Sequence, residues 1–135
     1  MLEFALPCSY GICILVDVSF EQYFVSGTVG QSVTVKCQTS IPDSVLDSLV
    51  ILKTSNSTNV TVASYSNGNV TNPSGTSVSF QDGVLTMEFL SLQCYDEGQY
   101  LCVVHSGNSE VTSPLPLTLQ PTGQFRVLLY LINNL

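Results

Sequence analysis

The strongest constraint on the fold of this chain is a pair of cysteines, Cys37 and Cys102, which lie 65 positions apart in two strand-like runs. In the first run, apolar and polar residues alternate, which is typical of a β-strand that buries one face. Two half-buried strands that each offer a cysteine to the same core predict a disulfide between two sheets. On a chain-entropy argument, closing a loop of this length stabilises the fold by about 4 kcal/mol, a large share of a typical total.

The residues before the second cysteine predict a tight turn that leads into its strand. Asp96 is suited to hydrogen-bond nearby backbone, and Gly98 permits a positive φ. Tyr100, two residues before Cys102, fits a tyrosine corner, in which the phenol oxygen bonds to backbone at the entry to a strand. The pattern D-x-G-x-Y-x-C, with a cysteine upstream, resembles the immunoglobulin superfamily.

This resemblance covers about residues 22–121 and implies an all-β fold, an immunoglobulin-like sandwich of two antiparallel sheets with Greek-key connections. The spacing of the cysteines suits the variable type, which has extra strands C′ and C″ between strands C and D. Residues 1–21 are predicted to be a degraded signal peptide or, as the alternative, a first strand with an extra hydrophobic lead-in. Residues 122–135 form an apolar C-terminal tail, for which the stub of a longer segment, a partner strand and a chance extension all stay open.

Short β-prone runs separated by Gly, Ser, Asn and Pro place the strands along the chain. The predicted strands are a first edge strand over 23–28, B over 32–37, C over 49–53, C′ over 60–65, D over 78–80, E over 85–89, F around 100–104 and G over 111–119. A polar loop over 55–59 joins C to C′, and Asp82-Gly83 predicts a hairpin turn between D and E. Pro114 and Pro116 mark G as an edge strand, because proline lacks the N–H that a ladder requires.

One core position departs from the family pattern. The sandwich usually places a tryptophan on strand C against the disulfide, but this chain contains no tryptophan. By its spacing from Cys37, Ile51 is the predicted replacement, with Leu49 on the same face. Because an aliphatic side chain fills less volume than an indole, neighbouring side chains are expected to compensate. The candidates are Phe80, Met87 and Phe89.

The distribution of charged residues bears on the role of Asp96 and on the classes of partner that the chain can bind. In variable-type domains the Asp of the motif often pairs with a cation on strand D, but no Lys or Arg lies between Lys53 and Arg126. Asp96 is therefore expected to keep only local backbone hydrogen bonds, and Asp96→Asn is expected to cost little stability. The net charge is −7, and the three cations are scattered, which argues against binding nucleic acid or an anionic membrane surface.

Three N-x-S/T sequons lie between strands C and D, and their acceptors are Asn56, Asn59 and Asn69. A cluster of sequons beside a probable disulfide favours an oxidising secretory route. The predicted location is secreted or on the extracellular side of the plasma membrane, with membrane attachment left open. Glycans at these positions would crowd the C′ side and leave the B–C and F–G loops freer.

The chain has five cysteines, so at least one is left over after pairing. Cys8 and Cys13 lie in the N-terminal apolar run, and Cys94 lies at the predicted E–F corner. A free thiol, a bridge from Cys94 to Cys8 or Cys13, and an intermolecular bond that links a dimer all stay open for Cys94.

The sequence argues against an enzyme. His105 is the only histidine, and adjacent strand residues point to opposite faces, so His105 and Ser106 would diverge rather than form a triad with Asp96. The residue spacings match neither a zinc site nor an EF-hand loop, and no cofactor or metal is predicted.

The resemblance implies a non-catalytic extracellular recognition module, active in cell adhesion or as an immune-type receptor, that binds a protein or glycan. The predicted contact surface comprises residues 40–47 and 104–110, in the B–C and F–G loops. The alternative is a structural spacer domain from a longer tandem adhesion or matrix protein. Strand G lacks the Phe-Gly-x-Gly bulge of antigen-receptor variable domains, which argues against antibody-like pairing.

Overall fold

The computed structural model describes residues 4–5 and 15–123. Cys8, Cys13 and residues 124–135, which include most of the predicted C-terminal tail, lie outside the described residues. Of residues 4–5 and 15–16 only the backbone is described.

Within these ranges the chain forms thirteen strands and one turn of 3₁₀ helix, Cys94–Asp96, which lies between the tenth and eleventh strands. The strands are β1 (Phe4–Ala5), β2 (Leu15–Val16), β3 (Val18–Phe20), β4 (Phe24–Thr28), β5 (Val33–Thr39), β6 (Ser48–Ser55), β7 (Thr58–Ser66), β8 (Asn69–Thr71), β9 (Thr76–Gln81), β10 (Val84–Phe89), β11 (Gly98–Ser106), β12 (Ser109–Thr112) and β13 (Leu117–Thr122).

Two sheets face each other across one core, as the sequence predicts. The B sheet has the order β3-β5-β10-β9, and the F sheet has the order β4-β13-β11-β6-β7-β8, with β12 also paired to β11. Strands β1 and β2 pair only with each other. The predicted disulfide joins Cys37 on β5 to Cys102 on β11, with the two Cα atoms 6.3 Å apart.

The sandwich includes a strand before residue 22, in the stretch for which a first strand with a hydrophobic lead-in is one of the two predictions. Strand β3 pairs antiparallel with β5 in the B sheet, whereas β4 pairs parallel with β13 in the F sheet. Val18 and Phe20 are almost fully buried in the core. The predicted domain start at residue 22 therefore falls after the first strand of the sandwich. An apolar run that enters a core has the same composition as one that precedes a domain, so sequence could not separate the two.

Strand G is broken into β12 and β13, and the prediction that it is one edge strand is wrong for its second half. Strand β13 lies between β11 and β4, so it has a partner on both sides. Pro114 and Pro116, which suggested an edge, lie in the break between the two halves. The break stays attached to strand β11, because the Ser113 N–H donates to the Cys102 carbonyl at 2.7 Å and the Cys102 N–H donates to Ser113 Oγ at 3.1 Å.

The predicted polar loop over 55–59 is instead a tight hairpin. Strands β6 and β7 run to Ser55 and from Thr58, and only Asn56 and Ser57 form the turn, with φ of 44° and 69°. The predicted turn at Asp82-Gly83 has a similar form, with φ of 51° and 78°. A Cβ on Gly83 would lie 2.7 Å from the Thr39 carbonyl oxygen, so the close approach of two backbones requires glycine there.

The core around the disulfide contains aromatic pairs instead of an indole. Ile51 is fully buried and pairs directly with Cys102 across the F sheet. Tyr65 and Phe80 stack with ring centroids 3.8 Å apart, and Phe89 meets the ring of Tyr100 edge-on at 6.2 Å. Aromatic pairs of this kind add large apolar area at defined geometry.

Because Ile51 is enclosed against the disulfide, Ile51→Ala is expected to lower the free energy of unfolding by about 2–5 kcal/mol, and Ile51→Val by about 0.5–1.5 kcal/mol. Val50→Ala is the matched control, because Val50 is the adjacent half-buried side chain on the opposite face. Urea titrations of the three variants measure the differences. Equal losses at positions 50 and 51 would contradict this placement of Ile51.

Candidate functional site

The corner between β10 and β11 is held by hydrogen bonds to backbone. The Tyr100 hydroxyl donates to the Asp96 carbonyl at 2.6 Å, and the Gln93 N–H donates to Asp96 Oδ2 at 2.8 Å. Gly98 has φ of +149°, and a Cβ there would lie 3.1 Å from Cε of Lys53. An asparagine at position 96 retains an oxygen that can accept the Gln93 N–H, in keeping with the small expected cost of Asp96→Asn.

A cation also contacts this corner, and it comes from strand C rather than strand D. Lys53 Nζ donates to the Tyr95 carbonyl at 2.5 Å and lies 5.8 Å from the centroid of the Tyr100 ring. Among the described residues, Asp96 itself makes no ion pair. This contact is not evident from the sequence, because it depends on the register that pairs Lys53 with Tyr100.

The protonation of the Tyr100 phenol is tied to folding. Burial, and secondly the nearby Asp96 carboxylate, raise the pKa of Tyr100 well above its usual range. Both causes favour the neutral phenol, which is the form that donates to the Asp96 carbonyl.

At the opposite end of β11, the B–C loop and the F–G turn are tied together. The Ser106 hydroxyl donates to the Val45 carbonyl at 2.6 Å, and the Gly107 N–H donates to Asp47 Oδ2, also at 2.6 Å. In the reverse direction, the Asp47 N–H donates to the His105 carbonyl at 3.0 Å. These three hydrogen bonds, called the loop lock below, join two segments that are about 60 residues apart in sequence.

The B–C loop is also anchored to the core, and its tip carries the exposed groups. Ile41 and Leu46 are buried, whereas Asp43 and Asp47 are exposed and the side chain of Val45 is 42% exposed. Residues 40–47 and 104–110 are called the loop end below. This surface is fixed by hydrogen bonds and by buried side chains, and it exposes carboxylates and one apolar side chain.

His105 lies beside the loop lock on the outer face of the F sheet. Its Nε2 is 3.1 Å from Glu110 Oε2 and its Nδ1 is 3.0 Å from Ser48 Oγ. A proton on Nε2 satisfies both contacts, since Nε2 then donates to Glu110 and Nδ1 accepts from the Ser48 hydroxyl. Ser106 is buried and its hydroxyl bonds to backbone, so the structure does not bring His105 and Ser106 together as a catalytic pair.

The outer face of the F sheet has an apolar centre. Directly paired residues on neighbouring antiparallel strands share a face. Leu101 pairs with Leu52 and Val103 pairs with Val50, and these four residues are called the apolar block. The rows between them point into the core, so the block points away from it. Val103 is nevertheless buried, with 4% of its surface exposed, whereas Leu101, Leu52 and Val50 are half-buried. The sequence signal for this block is the run of consecutive apolar residues in strands C and F.

The remaining predicted site residues lie at the surface. Asn56 is exposed in the β6–β7 turn, Asn59 is exposed on β7 and Asn69 is exposed at the start of β8. Cys94 is an exposed free thiol in the 3₁₀ turn.

The described part of the chain has neither a metal-binding cluster nor a membrane-spanning helix. No three His, Cys, Asp or Glu side chains come together there as metal ligands. No helix in residues 4–5 and 15–123 has the length and hydrophobicity needed to cross a bilayer.

A family model of the immunoglobulin V-set domain matches residues 21–122. The chain belongs to the immunoglobulin V-set family. V-set domains are typically extracellular recognition domains that bind protein ligands, and they are generally non-catalytic. No curated protein matches this V-set chain closely enough to indicate a specific relative.

The raised pKa of Tyr100 predicts an alkaline loss of stability. The folded state holds the phenol proton more tightly than the unfolded state, so this contribution is complete below the ordinary tyrosine pKa of about 10 and is lost as the pH rises beyond it. Urea unfolding at about pH 8 and about pH 11 is expected to show a smaller loss for Tyr100→Phe than for the wild type.

Tyr95→Phe is the control for this measurement, because its side chain is 77% exposed. This variant is expected to follow the wild type at both pH values. Parallel losses for the wild type and Tyr100→Phe would contradict the proposed coupling of the phenol to folding.

Proposed function

We propose that this V-set domain is an extracellular recognition module that binds another extracellular protein through its loop end, in cell adhesion or as an immune-type receptor. The loop lock is the observation that carries this proposal. Each loop donates or accepts a side-chain hydrogen bond that fixes the backbone of the other loop. Loops that only connected strands would not need these bonds. A surface fixed in advance loses less conformational entropy on binding.

The chemistry of the loop end suits a protein partner. Asp43, Asp47 and Glu110 are exposed carboxylates, and Val45 adds an exposed apolar side chain between them. A rigid sandwich that presents variable loops is a common arrangement for binding sites. Three carboxylates without a neighbouring Lys or Arg at this end favour a partner with basic groups over an acidic glycan.

The extracellular location is supported by the chemistry of the chain. The disulfide is buried in the core, and such bonds persist in oxidising compartments. The three sequon asparagines are exposed, as glycan acceptors must be in the folded product.

The contribution of the loop lock can be measured by a binding screen. The domain, made multivalent on an oligomerising tag, is tested against a panel of extracellular proteins from the same organism. For any partner found, Ser106→Ala and Asp47→Ala are each expected to weaken binding severalfold, because each frees a loop from its backbone contact. Ser79→Ala, on the outer face of the B sheet, is the control.

Binding that survives both loop variants unchanged would contradict the loop-end assignment. A domain that folds but binds nothing in the panel would favour the spacer alternative. Unfolding curves of each variant separate a loss of binding from a loss of the fold.

We further propose that Cys94 links two copies of the chain. Its thiol is exposed and free, and a thiol in the secretory route meets disulfide oxidants. Two Cys94 thiols and one oxidised glutathione would give one intermolecular disulfide and two molecules of reduced glutathione by successive exchange.

On a non-reducing gel, part of the secreted protein is expected to run as a dimer, which a reductant converts to monomer. Cys94→Ser is expected to run as a monomer, because the other described cysteines form the buried disulfide. A monomer band in both samples would rule out the linkage.

A further inference from the structure

Two of the three sequon asparagines share a face with the apolar block. Asn59 pairs with Thr54, which pairs with Gln99, and Asn69 pairs with Ser66. These pairs lie in the rows that alternate with the buried rows of Ile51 and Cys102, so both asparagines point outward from the F sheet. Asn56, by contrast, lies in the hairpin turn and outside these rows.

The two asparagines lie at opposite corners of the block. Asn69 belongs to the row next to that of Val50, and Asn59 belongs to the row next to that of Leu52. With strands about 4.8 Å apart and residues about 3.3 Å apart along a strand, Asn59 lies about 8 Å from Leu52. A single sugar ring spans much of this distance, so an attached oligosaccharide reaches the block.

The side chains that lie between these two corners are small, polar and uncharged. The outward residues of β7 and β8 there are Thr61, Ser64 and Thr71, and the hydroxyls of Ser64 and Thr71 are hydrogen-bonded to each other. No long side chain of these strands stands between a glycan and the apolar block. Strand β8 is also an edge of the F sheet, which an adjacent glycan would cover.

We propose that N-linked glycans on Asn59 and Asn69 cover the C′ side of the outer face, including Val50 and Leu52, and leave the G side open. This inference rests on the extracellular location given under the proposed function. In the modification, Nδ2 of each asparagine bonds to the anomeric carbon of an oligosaccharide carried on a lipid pyrophosphate. The bond from that carbon to the pyrophosphate breaks, the lipid pyrophosphate leaves, and the amide loses one proton.

Glycans over Val50 and Leu52 would prevent association between copies of the chain. Leu52 and Val50 are half-buried, and the residues paired with them on this face, Thr61, Ser64, Leu101 and Val103, carry no charge. Partly exposed apolar side chains and a bare sheet edge both promote association between copies. A bulky hydrated glycan blocks both at the same place.

Occupancy and cover can be measured on one preparation. The full chain is secreted from glycosylating eukaryotic cells, and glycopeptides are mapped by mass spectrometry. Hydroxyl-radical footprinting then compares native protein with Asn59→Gln/Asn69→Gln. Oxidation of Leu52 is expected to rise severalfold in the double variant, whereas oxidation of Leu115, which is 56% exposed in the break between β12 and β13, stays the same.

Asn56→Gln is the matched control, and it is expected to leave the oxidation of Leu52 unchanged. Unmodified Asn59 and Asn69 would overturn the proposal, as would occupied sites with no change at Leu52. Occupied, covering glycans in a domain that binds no partner would refute the proposed recognition role and leave this inference standing. Self-association of the double variant through the freed face would support it further.

Discussion

The bond between Cys37 and Cys102 is the constraint on which the rest of the structure depends. It joins the central strand of each sheet, and the residues that pair with the two cysteines, Leu85 and Ile51, are both fully buried. With one sheet fixed against the other, β11 is held at both ends. The tyrosine corner closes its start and the loop lock closes its end. The proposed recognition surface is thus attached to the strand that carries Cys102 and is hydrogen-bonded at both ends.

The described fold shows which kinds of inference a single sequence supports. The cysteine pairing, the D–E hairpin and the buried position of Ile51 all follow from local patterns of alternation and turn chemistry. The start of the sandwich at Val18 could not be told from a leader, because an apolar run that enters a core has the same composition as one that precedes a domain. The break in strand G was misjudged for a related reason, since Pro114 and Pro116 can mark either an edge or an interruption.

For the candidate sites, too, some features follow from local sequence and others depend on the register of the strands. Residues 40–47 are the segment between β5 and β6, whereas most of residues 104–110 lie in β11 and β12, and only Gly107 and Asn108 connect those strands. The contacts that hold the loop end were beyond sequence reasoning, since Asp47 and Gly107 meet only after the strands adopt their register. The apolar block was hidden because strands C and F are apolar on both faces. In such strands, alternation no longer tells the inner face from the outer one.

The packing of the two sheets described above depends on how the cysteines pair. Disulfide mapping of the secreted chain by non-reducing proteolysis and mass spectrometry tests this directly. The expected result is a linked peptide pair that joins Cys37 to Cys102, with Cys94 absent from any bond to either of them. A bond from Cys94, Cys8 or Cys13 to Cys37 or Cys102 would contradict the sandwich described here and everything derived from it.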